Sequence, residues 1–366
     1  MTERDPQRMN PQRVAVLPGD GIGKDVTVEA VKVVEVAAER WSLPLELVHL
    51  PYDADHFLET GVAMPPGQMQ EFRDAYAGIF IGAYGDPRIP DMRHARDILL
   101  AIRFELDLFI NFRPCQLLDA RLCPLAGKTE KDVDFVVFRE NTEGAYVGVG
   151  GNFKKGTPDE VAVQEEIHTR KGVERIVRAA FEWARANGRR KVLMSDKSNV
   201  MRYGHDLWQR AFFEIATEYP DLEASHMFVD ALCMQMVKNP GQFEVIVTNN
   251  MFGDIVTDLG ASLQGGLGVA ASANRHPGRV SMYEPVHGSA PKYAGQGIAN
   301  PMGAILSMAL LVRDLGHAEA ADEMEKAVAE RIRAGETTRD LGGSLKTGEV
   351  GDRIARALAA GTAVAR

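Results

Sequence analysis

Three arginines in this 366-residue chain stand where elements of structure should end: Arg103 at the end of a predicted helix, Arg113 after an apolar run over 108–112, and Arg139 after another over 133–138. A guanidinium is a planar fork that binds a carboxylate through two parallel N–H bonds, so three of them converging suit a substrate with two carboxylates; each alone reads as a surface ion pair. Further along, Asp254 and Asp258 in FGDIVTD lie at i and i+4, one turn apart on one helix face. Like charges so placed repel, and a hard divalent cation such as Mg²⁺ or Mn²⁺ between them relieves the repulsion; a solvated helix N-terminus is the alternative. Asp230 closes an apolar run and reads as a third ligand or as a helix cap. Lys197, in SDKSN, is a candidate base where nearby cations lower its pKa, and Tyr146, after ENTEG, a candidate proton donor. The ordinary alternatives are a surface lysine and a packing tyrosine.

Two loops bear on nucleotide binding. The turn Gly19 to Gly23 lacks the GxGxxG spacing and no acid follows at the expected strand end, so it is not a standard dinucleotide fingerprint. The loop over 284–295, EPVHGSAPKYAG, combines small residues with His287 and Lys292 and suits wrapping of an adenine nucleotide through backbone amides.

The elements that must position these residues follow from periodicity. Residues 13–17 read as a strand, followed by the glycine turn and a helix over 24–40. Runs at 78–83, 108–112, 133–138, 192–195 and 245–248 are near-continuously apolar, as expected of strands covered on both faces. Over 171–187, Val173, Ile176, Val177, Ala180, Phe181 and Ala184 form one stripe, and Gly188 stops the helix. Strands alternating with such helices predict an α/β protein with mostly parallel sheet. The stretch 144–158 mixes Gly, Lys and Thr and reads as an exposed hairpin or arm, suited to a dimer contact.

Composition sets the outer limits. With 45% hydrophobic and 25% charged residues the chain is globular despite 35 glycines, and its length predicts one large or two ordinary domains. Forty-two Lys and Arg against 51 Asp and Glu give a net charge of -9, the wrong sign for a nucleic-acid partner. Cys115, Cys123 and Cys233 lack metal-ligand spacing and read as reduced thiols, which favours the cytoplasm. Residues 1–12 lack the apolar core of a signal peptide, and the longest nearly apolar run, 302–312, is too short to span a bilayer, so a soluble chain without a membrane partner is expected.

Seven segments together resemble the β-decarboxylating dehydrogenase family, which acts on isopropylmalate, isocitrate, homoisocitrate, tartrate and D-malate. They are LPGDGIG (17–23), the spacing from Arg103 to Arg113 ending in NFRP, FRENTEGAY (138–146), DKSNV (196–200), VDALCM (229–234), NNMFGDIVTD (249–258) and EPVHGSAPKYAG (284–295), and they occur in the family's order. The resemblance implies the isocitrate/isopropylmalate dehydrogenase-like α/β fold of two domains with an active-site cleft between them. A large cofactor-binding domain would comprise 1–108 and 265–366, and a small domain over 109–264 would carry substrate and metal residues and the dimer interface. It further implies that Arg103, Arg113 and Arg139 bind the malate-like carboxylates, that Asp230, Asp254 and Asp258 hold Mg²⁺ or Mn²⁺, and that Lys197 and Asp230 come from the partner subunit of a homodimer. In the implied reaction a 2-hydroxyl is oxidised with hydride passing to NAD(P)⁺, and CO₂ is lost from C3. Lys197 helps to remove the hydroxyl proton, with Asp230 beside it, and Tyr146 returns a proton to the enol.

Within the family, Leu99 and Leu100 before the first arginine resemble an isopropylmalate pocket, implying conversion of 3-isopropylmalate to 2-oxoisocaproate in leucine synthesis. Arg96 is a departure, and the D-malate and tartrate enzymes are the runner-up, ahead of isocitrate and homoisocitrate. Cofactor contacts are implied for Asn199, Glu284, His287, Gly288, Ser289, Ala290, Lys292, Tyr293, Asn300 and Asp340. Lys292 and Tyr293 resemble the NADP⁺ type and the segment 338–343 the NAD⁺ type, so both cofactors stay open, with a lean to NAD⁺ if isopropylmalate is the substrate. A regulatory, non-catalytic paralogue would be free to lose Tyr146, Lys197 or an aspartate; all are present, which favours an enzyme.

Overall fold

The apolar runs do form strands, and most of these extend a few residues beyond the purely hydrophobic span. The computed structural model describes residues 11–360, and in it the chain divides into two units, one built from both chain ends, up to Leu106 and from Leu267, the other from Asp107–Gly266. The first unit opens with β1 (Gln12–Gly19), α1 (Ile22–Trp41), β2 (Leu45–His49), α2 (Ala54–Thr60), α3 (Gln68–Ala75), β3 (Gly78–Ala83) and α4 (Arg93–Glu105). The second contains β4 (Ile110–Gln116), β5 (Asp134–Glu140), β6 (Gly150–Phe153), β7 (Val161–Gln164), α5 (Arg170–Ala186), β8 (Lys191–Asp196), α6 (Gly204–Ala216), β9 (Glu223–Phe228), α7 (Val229–Lys238), β10 (Val245–Thr248) and α8 (Asn250–Gln264). The chain then returns to the first unit with β11 (Ala271–Arg275), β12 (Ser281–Pro285), α9 (Met302–Asp314), α10 (Ala318–Arg333) and α11 (Thr347–Ala360).

Strand order in the first unit is β2-β1-β3-β12-β11, parallel except for β11 against β12. In the second it is β4-β5-β10-β8-β9, parallel except for β4 against β5. Both are α/β layers. The exposed segment after Tyr146 is a separate antiparallel hairpin, with Gly150 opposite Gln164 and with Val149, Phe153, Val161 and Val163 turned outward. No helix among the described residues is long and apolar enough to cross a membrane.

Alternation along β5 decides what the second unit can do. Phe135 and Val137 face Leu232 and Met236 of α7 and Val256 and Leu263 of α8, whereas Phe138 points the other way and meets Phe112 and Trp183. Arg139 falls on the α8 side. On β4, Arg113 and Cys115 share that side, and the antiparallel register sets Arg113 opposite Val137 and Asn111 opposite Arg139. Both arginines therefore lie inside strands, which corrects the expectation that they follow the strand ends. A hydrophobic run stops at the first charge, but a strand continues wherever the neighbouring helix offers that charge a partner.

Two glycines let α8 lie close enough to do so. A Cβ on Gly253 would stand 2.4 Å from Arg139 Cγ, and one on Gly260 2.6 Å from Cys115 Sγ. On the opposite face, α5 buries the whole predicted stripe, begins at the Thr169 cap and ends at Asn187. Phe181, fully buried, stacks on Tyr219 at 5.0 Å and lies 5.4 Å from Phe212. Phe181→Ala should therefore lower the unfolding free energy by about 3–5 kcal/mol. Denaturant titration checks this, and a loss under about 1 kcal/mol would refute the stack as a packing centre.

Candidate active site

The α8 face of β4 and β5 assembles one cluster from four sequence segments. Arg139 donates from Nε to Asn250 Oδ1 at 3.0 Å and from a terminal nitrogen to Asp254 Oδ1 at 2.5 Å. Tyr146 donates its hydroxyl to Asp254 Oδ2 at 2.9 Å, and its ring lies 5.3 Å from the Arg139 guanidinium. Arg113 donates to Thr257 Oγ1 at 2.7 Å and stands 3.6 Å from Asp254 and 3.9 Å from Asp258. The arginine side chains are 9% and 2% exposed, against 44% for Asp254 and 63% for Asp258. A buried cationic layer thus holds two carboxylates forward, and those hard oxygen donors, one turn apart, fit Mg²⁺ or Mn²⁺.

Lys197 and Asp230 form a second pair, Nζ to Oδ1 at 2.6 Å. Asp230 lies in the first turn of α7, where the cap position is Phe228 and no side chain caps it, so the helix-cap alternative is not what this acid does. The Lys197 ammonium holds the Asp230 carboxyl below the usual carboxylate range. Among the described residues, the His, Cys, Asp and Glu side chains whose ligand atoms lie within 4.8 Å of one another are Glu166, His168 and His205. Asp230, Asp254 and Asp258 of one chain do not form such a group.

The first unit holds the remaining predicted residues except Asn199, which lies in the second. On α4, Ile98 and Ile102 enter the core, Leu99 and Leu100 are half-buried, and Arg103 follows one turn after Leu99. Arg103 donates to Glu284 Oε1 at 2.7 Å, which also accepts from Asn274 at 2.9 Å. Arg96 is exposed and pairs with its neighbour Asp97 at 3.3 Å. A cavity of about 630 Å³ is lined by Ile22, Gly268, His287, Ala290, Tyr293, Ile298, Ala299, Asn300, Arg339 and Asp340. Asp340 is held by Asn300 at 2.9 Å and by Thr338. Burial pushes the His287 pKa down, so its ring stays neutral at pH 7. Gly288, Ser289 and Lys292 belong to the same loop, and Ser289 O accepts the Ile22 N–H at 2.8 Å. This contact explains Gly21: a Cβ there would lie 2.0 Å from Ser289 O. The turn's glycines serve close backbone approach, which is why their spacing departs from the phosphate-binding pattern. Asn199 is exposed in the turn after β8.

Sequence reasoning missed Asn250 and Thr257, the residues that orient the two buried guanidiniums. Thr257 sits between the flagged aspartates at helical spacing, a signal that was there to read. Asn250 follows the capping Asn249, whose Oδ1 accepts the Phe252 N–H at 2.9 Å, and a second asparagine after a cap has no periodic signature.

The fold is that of an α/β protein with a buried arginine–carboxylate cluster in one unit and a cavity of nucleotide size in the other. The sequence model of the isocitrate/isopropylmalate dehydrogenase family matches residues 13–354. A curated 3-isopropylmalate dehydrogenase of Thermobifida fusca is 44% identical over 349 residues, covering 95% of this chain and 98% of its own. One from Mycobacterium tuberculosis is 43% identical over 348 residues, covering 94% and 100%. Among solved structures, isocitrate dehydrogenase from Methylococcus capsulatus superposes with a TM-score of 0.85 at 34% identity over 95% of this chain and 99% of that one. The TT0538 protein from Thermus thermophilus does so at 0.84 and 36%, over 96% and 69%. The chain belongs to the isocitrate/isopropylmalate dehydrogenase family and is an oxidoreductase; the family works with NAD(P)⁺ and a divalent metal on small molecules.

Thr257→Val removes the acceptor of a buried guanidinium and should cost about 1–3 kcal/mol of stability, while Thr257→Ser retains most of it. Thermal or urea unfolding compares the two, and equal losses would mean that the methyl group, not Oγ1, matters.

Proposed function

We propose that this chain is a 3-isopropylmalate dehydrogenase: it oxidises the 2-hydroxyl, passes the hydride to a nicotinamide cofactor and releases the C3 carboxylate as CO₂, leaving 2-oxoisocaproate. The observation that carries this reading is the buried pair Arg113 and Arg139 behind Asp254 and Asp258, with the Tyr146 hydroxyl on the same carboxylate. The names of the relatives quoted above support the substrate. Leu99 and Leu100 offer half-buried apolar surface one turn before Arg103, suited to an isopropyl group. Arg96 turns to solvent and is neutralised by Asp97, so it adds no further charge to the substrate's requirements.

In this mechanism Arg103, Arg113 and Arg139 grip the two carboxylates in their planar forks and orient the 2-hydroxyl. Asp230, Asp254 and Asp258 would hold Mg²⁺ or Mn²⁺, which supplies Lewis acidity at the substrate oxygen where negative charge develops. Released from its ion pair with Asp230 and in the neutral amine form, Lys197 Nζ takes the hydroxyl proton as the C2 hydrogen leaves with its electron pair. The C3–carboxylate bond then breaks, its electrons forming the enol, and Tyr146 Oη protonates C3 to give the ketone.

The site is shared between two copies. The exposed apolar residues Met234 and Val237 on α7, Ile255 on α8, and Phe153 and Val161 on the hairpin support a homodimer interface. A second copy would bring its Lys197 and Asp230 to the Asp254 and Asp258 of the first. The three free cysteines fit a reducing, cytoplasmic setting. Asp254→Asn and Lys197→Ala should each abolish turnover, and refolding them together should restore roughly a quarter of wild-type activity, since half the dimers are mixed and each has one intact site. No recovery from a mixture shown to exchange subunits would eliminate the shared site.

Against the lean to NAD⁺ that an isopropylmalate substrate carries, Lys292 and Arg339 support NADP⁺ as the preferred cofactor. Arg339 lines the cavity and Lys292 lies 4.6 Å from the Tyr293 ring, two cations suited to a 2′-phosphate. The deciding assay measures kcat/KM with Mn²⁺ for isopropylmalate, D-malate, tartrate and isocitrate, each with NADP⁺ and NAD⁺. Isopropylmalate should lead by about a hundredfold, roughly 2.7 kcal/mol of transition-state discrimination, and Lys292→Asp should reverse a preference for NADP⁺. A lead for D-malate or tartrate would reject the substrate, and a wild-type preference for NAD⁺ would reject the cofactor.

A further inference from the structure

Glu166, His168 and His205 lie outside the residues assigned so far and make no appearance in the proposed chemistry. His168 Nε2 is 3.0 Å from Glu166 Oε1 and His205 Nε2 is 3.6 Å from Glu166 Oε2, with side chains 3%, 0% and 12% exposed for His168, His205 and Glu166. Their composition is that of a zinc site. The far edge of each ring argues against one. His205 Nδ1 accepts the backbone N–H of Lys197 at 2.8 Å, and His168 Nδ1 accepts the indole N–H of Trp208 at 3.1 Å. Both partners can only donate, so each Nδ1 carries the lone pair and each Nε2 carries the proton, and a protonated Nε2 cannot ligate a metal.

The two Nε2 protons need an acceptor. Asn249 Nδ2 lies 3.2 Å from His205 Nε2, but the Asn249 amide is oriented by its Oδ1 capping the Phe252 N–H, so it offers His205 a second donor. Glu166 is the anion that faces both Nε2 atoms at ion-pair distance; neither approach has hydrogen-bond geometry, and His168 Nε2 and Glu166 Oε1 lack a hydrogen-bond partner among the described residues. Burial alone would raise its carboxyl pKa, yet the two imidazoles hold it down at about 2, so it is a carboxylate at any working pH.

We infer that Glu166 and His205 are positioning residues: the carboxylate faces both Nε2 atoms and its charge favours their protonated form, while the Nδ1 contacts fix the rings, and through them the cluster aligns the segments that present Lys197, Tyr146 and Asp254. This rests on the roles proposed for those three side chains. His205 reaches the first segment directly, through the Lys197 N–H. It reaches α8 by packing its ring edge-on against Phe252 at 5.5 Å. Ile167, between Glu166 and His168, exchanges backbone hydrogen bonds with Gly144, two residues before Tyr146, at 2.8 and 3.4 Å. Space for the node is built in at α6, since a Cβ on Gly204 would stand 2.7 Å from His168 Cδ2. Protonating or metallating either ring would turn an Nδ1 acceptor into a donor facing another donor, so the cluster tolerates one arrangement of protons.

The test combines a measurement independent of catalysis with kinetics. In wild-type protein with ¹⁵N-labelled histidine, His168 and His205 should both report the neutral Nε2–H tautomer, and equilibrium dialysis against Zn²⁺ should give the same bound zinc for wild type and His168→Gln. An Nδ1–H tautomer at either ring, or a zinc ion lost in His168→Gln, overturns the inference. Glu166→Gln and His205→Leu should lower kcat on the order of tenfold to a hundredfold while KM moves by less than about threefold. His205→Asn, whose amide oxygen stands near the Nδ1 position, should recover most of that loss. A folded His205→Leu with wild-type kcat also overturns it. Wild-type protein without turnover on any of the diacids would refute the dehydrogenase reading, and the tautomer and zinc measurements would still decide the chemistry of the cluster.

Discussion

Arg139 is a guanidinium with 2% of its side chain exposed, and most of the second unit's local design follows from having to bury it. A charge out of water needs an opposite charge and hydrogen-bond acceptors along its fork, or the fold loses several kcal/mol. Asn250 takes Nε, Asp254 takes a terminal nitrogen, and the Tyr146 ring lies alongside. All three partners are in place only if α8 runs close to the sheet, which requires glycine at 253. Glycine inside a helix costs roughly 1 kcal/mol relative to alanine, and α8 carries Gly253 and Gly260 where the sheet surface demands them. Helix stability is given up so that a cation can be held rigidly behind two acids.

The same constraint shapes the acids. Were Arg113 and Arg139 on the surface, each would swing freely and its pairing with a carboxylate would contribute little. Buried and fixed, they hold Asp254 in one orientation with its second oxygen on the Tyr146 hydroxyl, and Asp258 stands one turn on, more exposed. The geometry that pairs the protein's own charges therefore also presents hard oxygen donors in a fixed arrangement. In the first unit Arg103 is prepared in the same manner, its fork closed by Glu284 and that acid steadied by Asn274.

How much of this was legible in the sequence differs by the kind of signal. Periodicity located α5 to within a residue or two, because its stripe of Val, Ile, Ala and Phe has no competing reading. The strand cores were legible for the same reason, while the ends of β4 and β5 were not, since a buried Arg113 or Arg139 resembles a strand terminator until the helix that satisfies it is known. Asp254 and Asp258 were readable as a pair because helical spacing alone puts them on one face. The pairings of Arg103 with Glu284 and of Lys197 with Asp230 join residues far apart in sequence, and nothing local announces them. His205 is the extreme case: its role depends on which ring nitrogen faces a backbone N–H eight residues away, and residue type alone says nothing of tautomer.

That the arginines are already paired has a consequence for how a diacid binds. On the proposed roles, two of the three forks offered to a diacid already hold a carboxylate of the protein, Glu284 on Arg103 and Asp254 on Arg139, while Arg113 bonds Thr257. On that reading, binding would exchange one acid for another at a buried cation rather than bury a new charge. If the proposed roles hold, affinity and selectivity rest more on the part of the substrate that is not exchanged, the apolar surface offered by residues such as Leu99 and Leu100 and the fit of the hydroxyl. A family built on one set of arginines can therefore change substrate through a few side chains beside them, because the charged framework contributes alike to every diacid, whereas the apolar wall contributes only to the one it fits.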